Sequence, residues 1–339
     1  QYEPFDSALE LKALPCLSDL ICQRWHPDLL EFLRGTPFVD ELTLLDHGQR
    51  TLDLRGTSIR KLMLDMTGLQ ELWLGEGTEQ LLFQNKGPDA CTIHAPEDGS
   101  GLTLQFIGEY RPHTELPNLL ELHGIQLKDF DLSGLAAVHP HLKELRLWGA
   151  PGNLQNFSAV REFRELTHLS TFDLFGFGAD DIPTPEQMPE LRWFWMTSLP
   201  ETAAKAAKQL WKGKAGMDLR ITKPRKPEWL AQNLGNPFRG WDGAEHIPVS
   251  AARKAANQYR KTRSQLMKLA AEPGEDAQAQ AQALDAVAAY TQTFNKMGFI
   301  ETEERDEIYM ALRGILDALP DNTLQKDALI EKLEQLRDF

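Results

Sequence analysis

The chain has 339 residues, 42% of them hydrophobic and 25% charged, enough for two domains and a sizeable core. No run of about 18 apolar residues occurs, which argues against a membrane-spanning helix, and no basic stretch followed by an apolar core marks a signal peptide. The net charge of −14 disfavours nucleic acid, whose phosphates need basic contacts, and favours a basic protein partner, with plain solubility as the alternative. The charge is uneven: residues 1–222 hold 20 Lys+Arg against 32 Asp+Glu, and residues 223–339 hold 16 against 18. Three cysteines, Cys16, Cys22 and Cys91, read as reduced thiols of a cytoplasmic protein, with a Cys16–Cys22 disulfide as the other reading. The chain opens on Gln1 rather than Met, so an upstream segment is expected to have been removed. Secretion into a host cell as an effector therefore stands beside a cytoplasmic location.

In chain order, residues 1–36 are expected to form a helical cap, since "DSALELKALPCLSDL" and "HPDLLEFLRG" both read as helical. Residues 37–222 carry a repeat. Apolar triplets recur at Val39–Leu42–Leu44, Ile59–Leu62–Leu64, Leu142–Leu145–Leu147, Leu169–Phe172–Leu174 and Leu191–Phe194–Met196. Weaker copies place Leu81/Phe83, Leu102/Leu104, Leu120/Leu122 and Leu219/Ile221 at the last two positions. The central residues then fall at 42, 62, 81, 102, 120, 145, 172, 194 and 219, about nine coils. Each coil contributes a short strand whose two apolar residues point inward, and one coil cannot bury them alone, so the coils must stack. Leu52/Leu54, Leu72/Leu74 and Phe130/Leu132 are expected as extended segments on the opposite wall, and Glu201–Lys214 as a helix with Ala203, Ala206, Ala207 and Leu210 on one side.

After Ile221 the composition changes. Residues 223–248 are rich in Pro and Gly and read as an irregular connection. Residues 249–339 are expected to form a helical bundle of four helices: Val249–Ala271, Asp276–Met297, Thr302–Leu319 and Thr323–Leu336. Glu272-Pro273-Gly274 breaks the first from the second, Gly298 ends the second, and Asn322 is a candidate N-cap of the last.

Residues beside and between the inward pair must face outward. On the late coils these include Glu144, Arg146, Trp148, Asp173, Phe175, Trp193, Trp195 and Arg220, an aromatic cluster ringed by charges with the composition of a protein-binding hot spot. A strand register off by one would instead put the tryptophans inside, and a bundle folded back onto the patch would make it an internal contact. The basic stretch from Lys223 to Lys268 reads as a solvated helix face, with an internal clamp onto the acidic repeat or a second contact surface as the alternative. No P-loop, HExxH, G-x-S-x-G or EF-hand loop is present, and no cofactor, catalytic set or metal site is expected. His139-Pro140-His141 lacks further ligands nearby. An enzyme remains the alternative, with Arg239, Trp241, Asp242, Glu245 and His246 at the junction of repeat and bundle as its candidate residues. A purely structural scaffold is the third reading.

The repeats at Val39–Leu44, Ile59–Leu64, Leu142–Leu147 and Leu191–Met196 resemble the leucine-rich-repeat superfamily over roughly residues 37–222. The Asn that usually follows the strand is mostly missing, and several spacers are irregular. The resemblance implies an α/β fold: a leucine-rich-repeat solenoid with a parallel concave sheet, an N-terminal helical cap and a C-terminal all-α helical bundle. It also implies a non-catalytic module that binds protein through the concave face. Short coils followed by helices look like bacterial effectors that join such repeats to a ubiquitin-ligase domain. That chemistry needs a cysteine in the helical part, and none follows Cys91. An acidic repeat protein also resembles a bacterial immunity protein that blocks a basic toxin.

Overall fold

Seven leucines and one phenylalanine stand opposite one another across neighbouring strands, all of them buried: Leu42, Leu62, Leu81, Leu104, Leu122, Leu145, Leu169 and Phe194. The computed structural model in which they do so describes residues 8–14, 16–85, 91–242, 244–271, 276–320 and 323–339. Two compact units result, Gln1–Lys226 and Pro227–Phe339.

The first unit is α/β, built on a ten-stranded sheet. Its strands are β1 (Asp19–Arg24), β2 (Glu41–Asp46), β4 (Lys61–Leu64), β6 (Gln80–Phe83), β8 (Thr103–Ile107), β9 (Glu121–Asp131), β10 (Glu144–Gln155), β11 (His168–Phe175), β12 (Trp193–Pro200) and β13 (Asp218–Arg225), in that spatial order. Every pairing is parallel, and the apolar row stays in register from one strand to the next. Between successive strands the chain crosses to an opposite wall. There β3 (Thr51–Asp53), β5 (Glu71–Trp73) and β7 (Thr92–His94) make a second parallel sheet with Leu52, Leu72 and Ile93 in register. Phe130 and Leu132 do not join that sheet: Phe130 lies in the far end of β9, opposite Leu154 of β10.

The described part of residues 1–36, expected as a helical cap, is not helical throughout. It holds a 3₁₀ turn at Ala8–Ala13, strand β1, and the short helix α1 (Leu29–Arg34). The alternation Leu20-Ile21-Cys22 continues the period-two pattern of the sheet, and it outweighs the helical reading of that stretch. Helix α2 (Leu135–Val138) and helix α3 (Glu201–Leu210) lie on later crossings. On α3 the buried residues are Ala203, Ala204 and Ala207, while Leu210 is exposed and Trp211 takes its place in the core, its indole N–H donating to Pro183 O at 2.9 Å.

The second unit starts with α4 (Pro227–Asn233) and a 3₁₀ turn at Pro237–Trp241, where the sequence suggested an irregular connection. Helices α5 (Val249–Ala271), α6 (Asp276–Phe294), α7 (Thr302–Asp317) and α8 (Lys326–Leu336) follow. Their inward stripes place Val287, Tyr290, Phe294, Ile308, Leu312, Ile315, Leu329 and Leu333 in one core with Phe238 and Trp241. The Tyr290 hydroxyl donates to Ile308 O at 2.9 Å, so this buried phenol is satisfied. The expected breaker Glu272-Pro273-Gly274 and the N-cap Asn322 lie outside the described residues.

The cysteines are free, and burial pushes the thiols of Cys22 and Cys91 up to about 11, so both are protonated at neutral pH. Close backbone approach singles out Gly149. A Cβ there would lie 2.2 Å from Asp173 O and 2.7 Å from Gly152 N, both main-chain atoms that cannot swing away. Gly149→Ala is expected to cost about 3 kcal/mol or more in a denaturation experiment, whereas Gly77→Ala, which meets open space, changes stability by less than about 1 kcal/mol.

On the crossing before β9, Glu115 accepts from the Ile93 N–H at 3.0 Å and pairs with His113 at 3.1 Å. Burial alone would raise its pKa, but these hydrogen bonds outweigh burial and bring it to about 2 from an ordinary 4.5. A depressed carboxyl stabilises the fold above its unfolded pKa and loses that contribution as pH falls through the folded one. Glu115→Gln is therefore expected to cost about 1–2 kcal/mol at pH 7, and the gap to the unmodified chain should close between about pH 4.5 and about pH 2.

Candidate functional site

The sheet's outward face is ordered by the same register that orders its core. One outward column runs Asp19, Glu41, Lys61, Gln80, Thr103, Glu121, Glu144, His168, Trp193, Asp218. The next runs Ile21, Thr43, Met63, Leu82, Gln105, His123, Arg146, Ser170, Trp195, Arg220. Beyond it, Trp148 stands opposite Phe172, and Phe172 opposite Thr197. Adjacent strands lie about 4.8 Å apart, so these side chains touch or nearly touch their column neighbours.

Trp148 and Trp193 are 45% and 39% exposed, and Trp195 is half-buried. The Trp193 indole stacks on the His168 ring at 3.9 Å with 7° between planes, and Thr167 Oγ1 lies 2.8 Å from His168 Nδ1. Over Trp195 lies Arg220, its guanidinium carbon 4.3 Å from the ring centroid. Asp218 holds that guanidinium by two hydrogen bonds of 3.1 and 3.0 Å. A cation over an indole is worth about 0.5–1 kcal/mol at an exposed site, so the pair is held in place but can be opened. The Trp195 Nε1–H is buried and finds no acceptor among the described residues.

Two of the expected outward residues are buried. Phe175 is 4% exposed and Asp173 is buried, while Phe172, expected in the core, is 44% exposed. The cause is twofold. Leu169, and not Phe172, pairs with Leu145 and Phe194, so Leu169 and Thr171 are the inward pair of β11. Asp173 then has φ +54°, and a left-handed residue breaks the period-two alternation, so that Leu174 packs in the core and Phe175 is buried as well. Ser198 and Lys223, each 25 positions further along, repeat this conformation at φ +56° and +47°. Ser198 Oγ donates to Asp173 Oδ1 at 2.8 Å and accepts from Arg225 Nε at 3.2 Å, which ties the three strands together beneath the face.

Glu144 stands in an outward column but is only 7% exposed. His123 Nε2 approaches its carboxylate at 3.3 Å and that of Glu121 at 3.5 Å, and Arg146 Nε pairs with the same Glu144 oxygen. Burial would raise the Glu144 pKa, but His123 and Arg146 outweigh it and hold the carboxyl below its ordinary value.

Three of the residues considered for an enzyme site, Trp241, Asp242 and His246, make contacts within the second unit. Trp241 is buried, with its indole N–H 2.5 Å from Glu307 Oε2. His246 pairs with Glu304 at 2.8 Å, and Glu304 also caps α7 by accepting from the Glu301 N–H at 3.0 Å. Asp242 accepts from Trp229 Nε1 at 3.0 Å. His139 is likewise a core residue, bonded to Tyr110 and Leu116 O.

The sequence reading missed Phe172 and His168 as members of the face. Even spacing was the available signal: choosing Leu169 makes the last three repeat steps 24, 25 and 25 residues, whereas Phe172 makes them 27, 22 and 25. Comparison with models of known protein families finds no match, and comparison with curated proteins finds none.

The register has a direct consequence for stability. Phe175→Ala should cost about 3–5 kcal/mol in thermal or denaturant unfolding, and Phe172→Ala less than about 1 kcal/mol. The reverse order would restore the register that places Phe175 outside.

Proposed function

We propose that the first unit is a leucine-rich-repeat solenoid and that the outward face of its sheet binds a protein partner without catalysis. What carries this reading is the exposed aromatic group Trp148, Phe172 and Trp193 on three adjacent strands, with Trp195 beside it beneath Arg220. Parallel sheets are ordinarily covered on both faces. A face that keeps large aromatics in water, with Arg146 and Arg220 beside them, has the make-up of an interface centre. In-register stacking at steps of 18–25 residues supports the solenoid assignment, because the stacked strands of a repeat protein must align their buried rows.

The partner is a protein of basic character. Asp19, Glu41 and Glu121 on the face, and the net charge of −14, would steer such a partner toward the aromatic centre. A cytoplasmic immunity protein that neutralises a basic toxin, or a bacterial effector, fits this arrangement. In either role the helical unit would be an accessory to the solenoid.

The test is capture of a partner by the full chain, identified by mass spectrometry, followed by affinity measurement with Trp193→Ala and Trp195→Ala singly and together. Each single change is expected to weaken binding by about 2 kcal/mol, roughly 30-fold, with the melting temperature of the chain little changed. Unaltered affinity in the double variant would place the interface elsewhere.

A further inference from the structure

We propose that Glu121, His123 and Glu144 form a binding site for a divalent transition-metal ion of the zinc type. This does not depend on the partner reading. Glu121 and His123 are two apart on β9 and so face the same way, and Glu144 stands opposite Glu121 on β10. One donor atom from each lies within 4.8 Å of the other two.

The spacing fits an ion. Zinc bound at about 2.0–2.1 Å holds tetrahedral ligands about 3.3–3.4 Å apart. His123 Nε2 is 3.3 Å from Glu144 Oε1 and 3.5 Å from Glu121 Oε2. A second observation points the same way. His123 Nε2 is buried and has no partner at hydrogen-bonding geometry among the described residues, although Glu144 Oε1, held by Arg146, is 3.3 Å away. Burying an imidazole nitrogen without satisfying it is costly, and a cation between it and the two carboxylates would satisfy it. Two carboxylates also balance a doubly charged ion. The imidazole selects zinc-like metals over calcium or magnesium, which take oxygen ligands. Thr103 Oγ1 donates to Glu121 Oε2 at 3.0 Å, an outer-shell bond that orients this carboxylate. Three protein ligands leave one position open toward the exposed face.

Arg146 competes with the ion. Its guanidinium pairs with the Glu144 oxygen that would bind metal, so the ion and the guanidinium exclude one another there. Arg146 is exposed and on a flexible stem, free to swing away. A plain ion-pair cluster and a metal site therefore respond oppositely to its removal.

The experiment is calorimetric titration of the full chain with zinc chloride in a reducing, non-chelating buffer, with circular dichroism to confirm folding of each variant. One-site binding is expected. It should weaken at least about tenfold in His123→Ala and in Glu144→Gln, and also in Glu121→Gln, whose more exposed carboxylate makes it the variant safest for folding. Arg146→Ala should bind severalfold tighter, and His141→Ala, on an exposed histidine paired with Glu165, should be unchanged. Absence of zinc binding would overturn the proposal. So would binding that survives His123→Ala and Glu121→Gln, or that weakens in Arg146→Ala.

Discussion

The structure depends on one constraint: a short strand with one apolar row cannot bury that row by itself. Leu62 is covered only because Leu42 and Leu81 stand on either side of it, and the same holds at each step to Phe194. Hydrophobic burial thus forces register, and register is transmitted strand by strand through parallel pairing. Gly124 shows how tight the fit is. It occupies an inward position beside Phe106, whose ring lies where a Cβ at residue 124 would be, 2.6 Å from that position. A large side chain on one strand is matched by the smallest on the next.

The outward face inherits its order from the same constraint. Because inward residues align, outward residues form columns, and side chains 18 to 25 positions apart in sequence become neighbours. Aromatic residues collect on β10, β11 and β12, and the Glu-His-Glu group collects on β9 and β10. Arg146 and Glu144 stand where the two groups meet, paired with each other. Under the proposed reading, an ion bound at Glu144 would free Arg146 to reach a partner lying on the aromatic side.

Much of this was legible in the sequence, and the exceptions have physical causes. Helices α5 to α8 were visible because apolar residues such as Val287, Tyr290 and Phe294 recur at helical spacing. The sheet strands at Leu42, Leu62, Leu145 and Phe194 were visible because both inward residues are strongly apolar. β11 was misaligned because its second inward residue is Thr171, which carries no hydrophobic signal, while Phe172 and Leu174 next to it do. Phe175 was misplaced because the left-handed turn at Asp173 leaves no mark in a hydrophobicity pattern. β1 was hidden because Asp19–Arg24 is a half-exposed edge strand whose pattern is weak. The Glu121–His123–Glu144 group was hidden because its third member lies 21 residues from the second, and only the pairing of β9 with β10 brings it close.

The central claim is that Trp148, Phe172 and Trp193 lie in water on one face while their sequence neighbours are sealed inside. Hydroxyl-radical footprinting of the full chain, read residue by residue by mass spectrometry, tests it most directly, since oxidation rate follows solvent access. The account predicts rapid labelling of Trp148, Phe172 and Trp193 and slow labelling of Phe175, Phe194 and Trp211. Protection of Phe172 together with rapid labelling of Phe175 would contradict it.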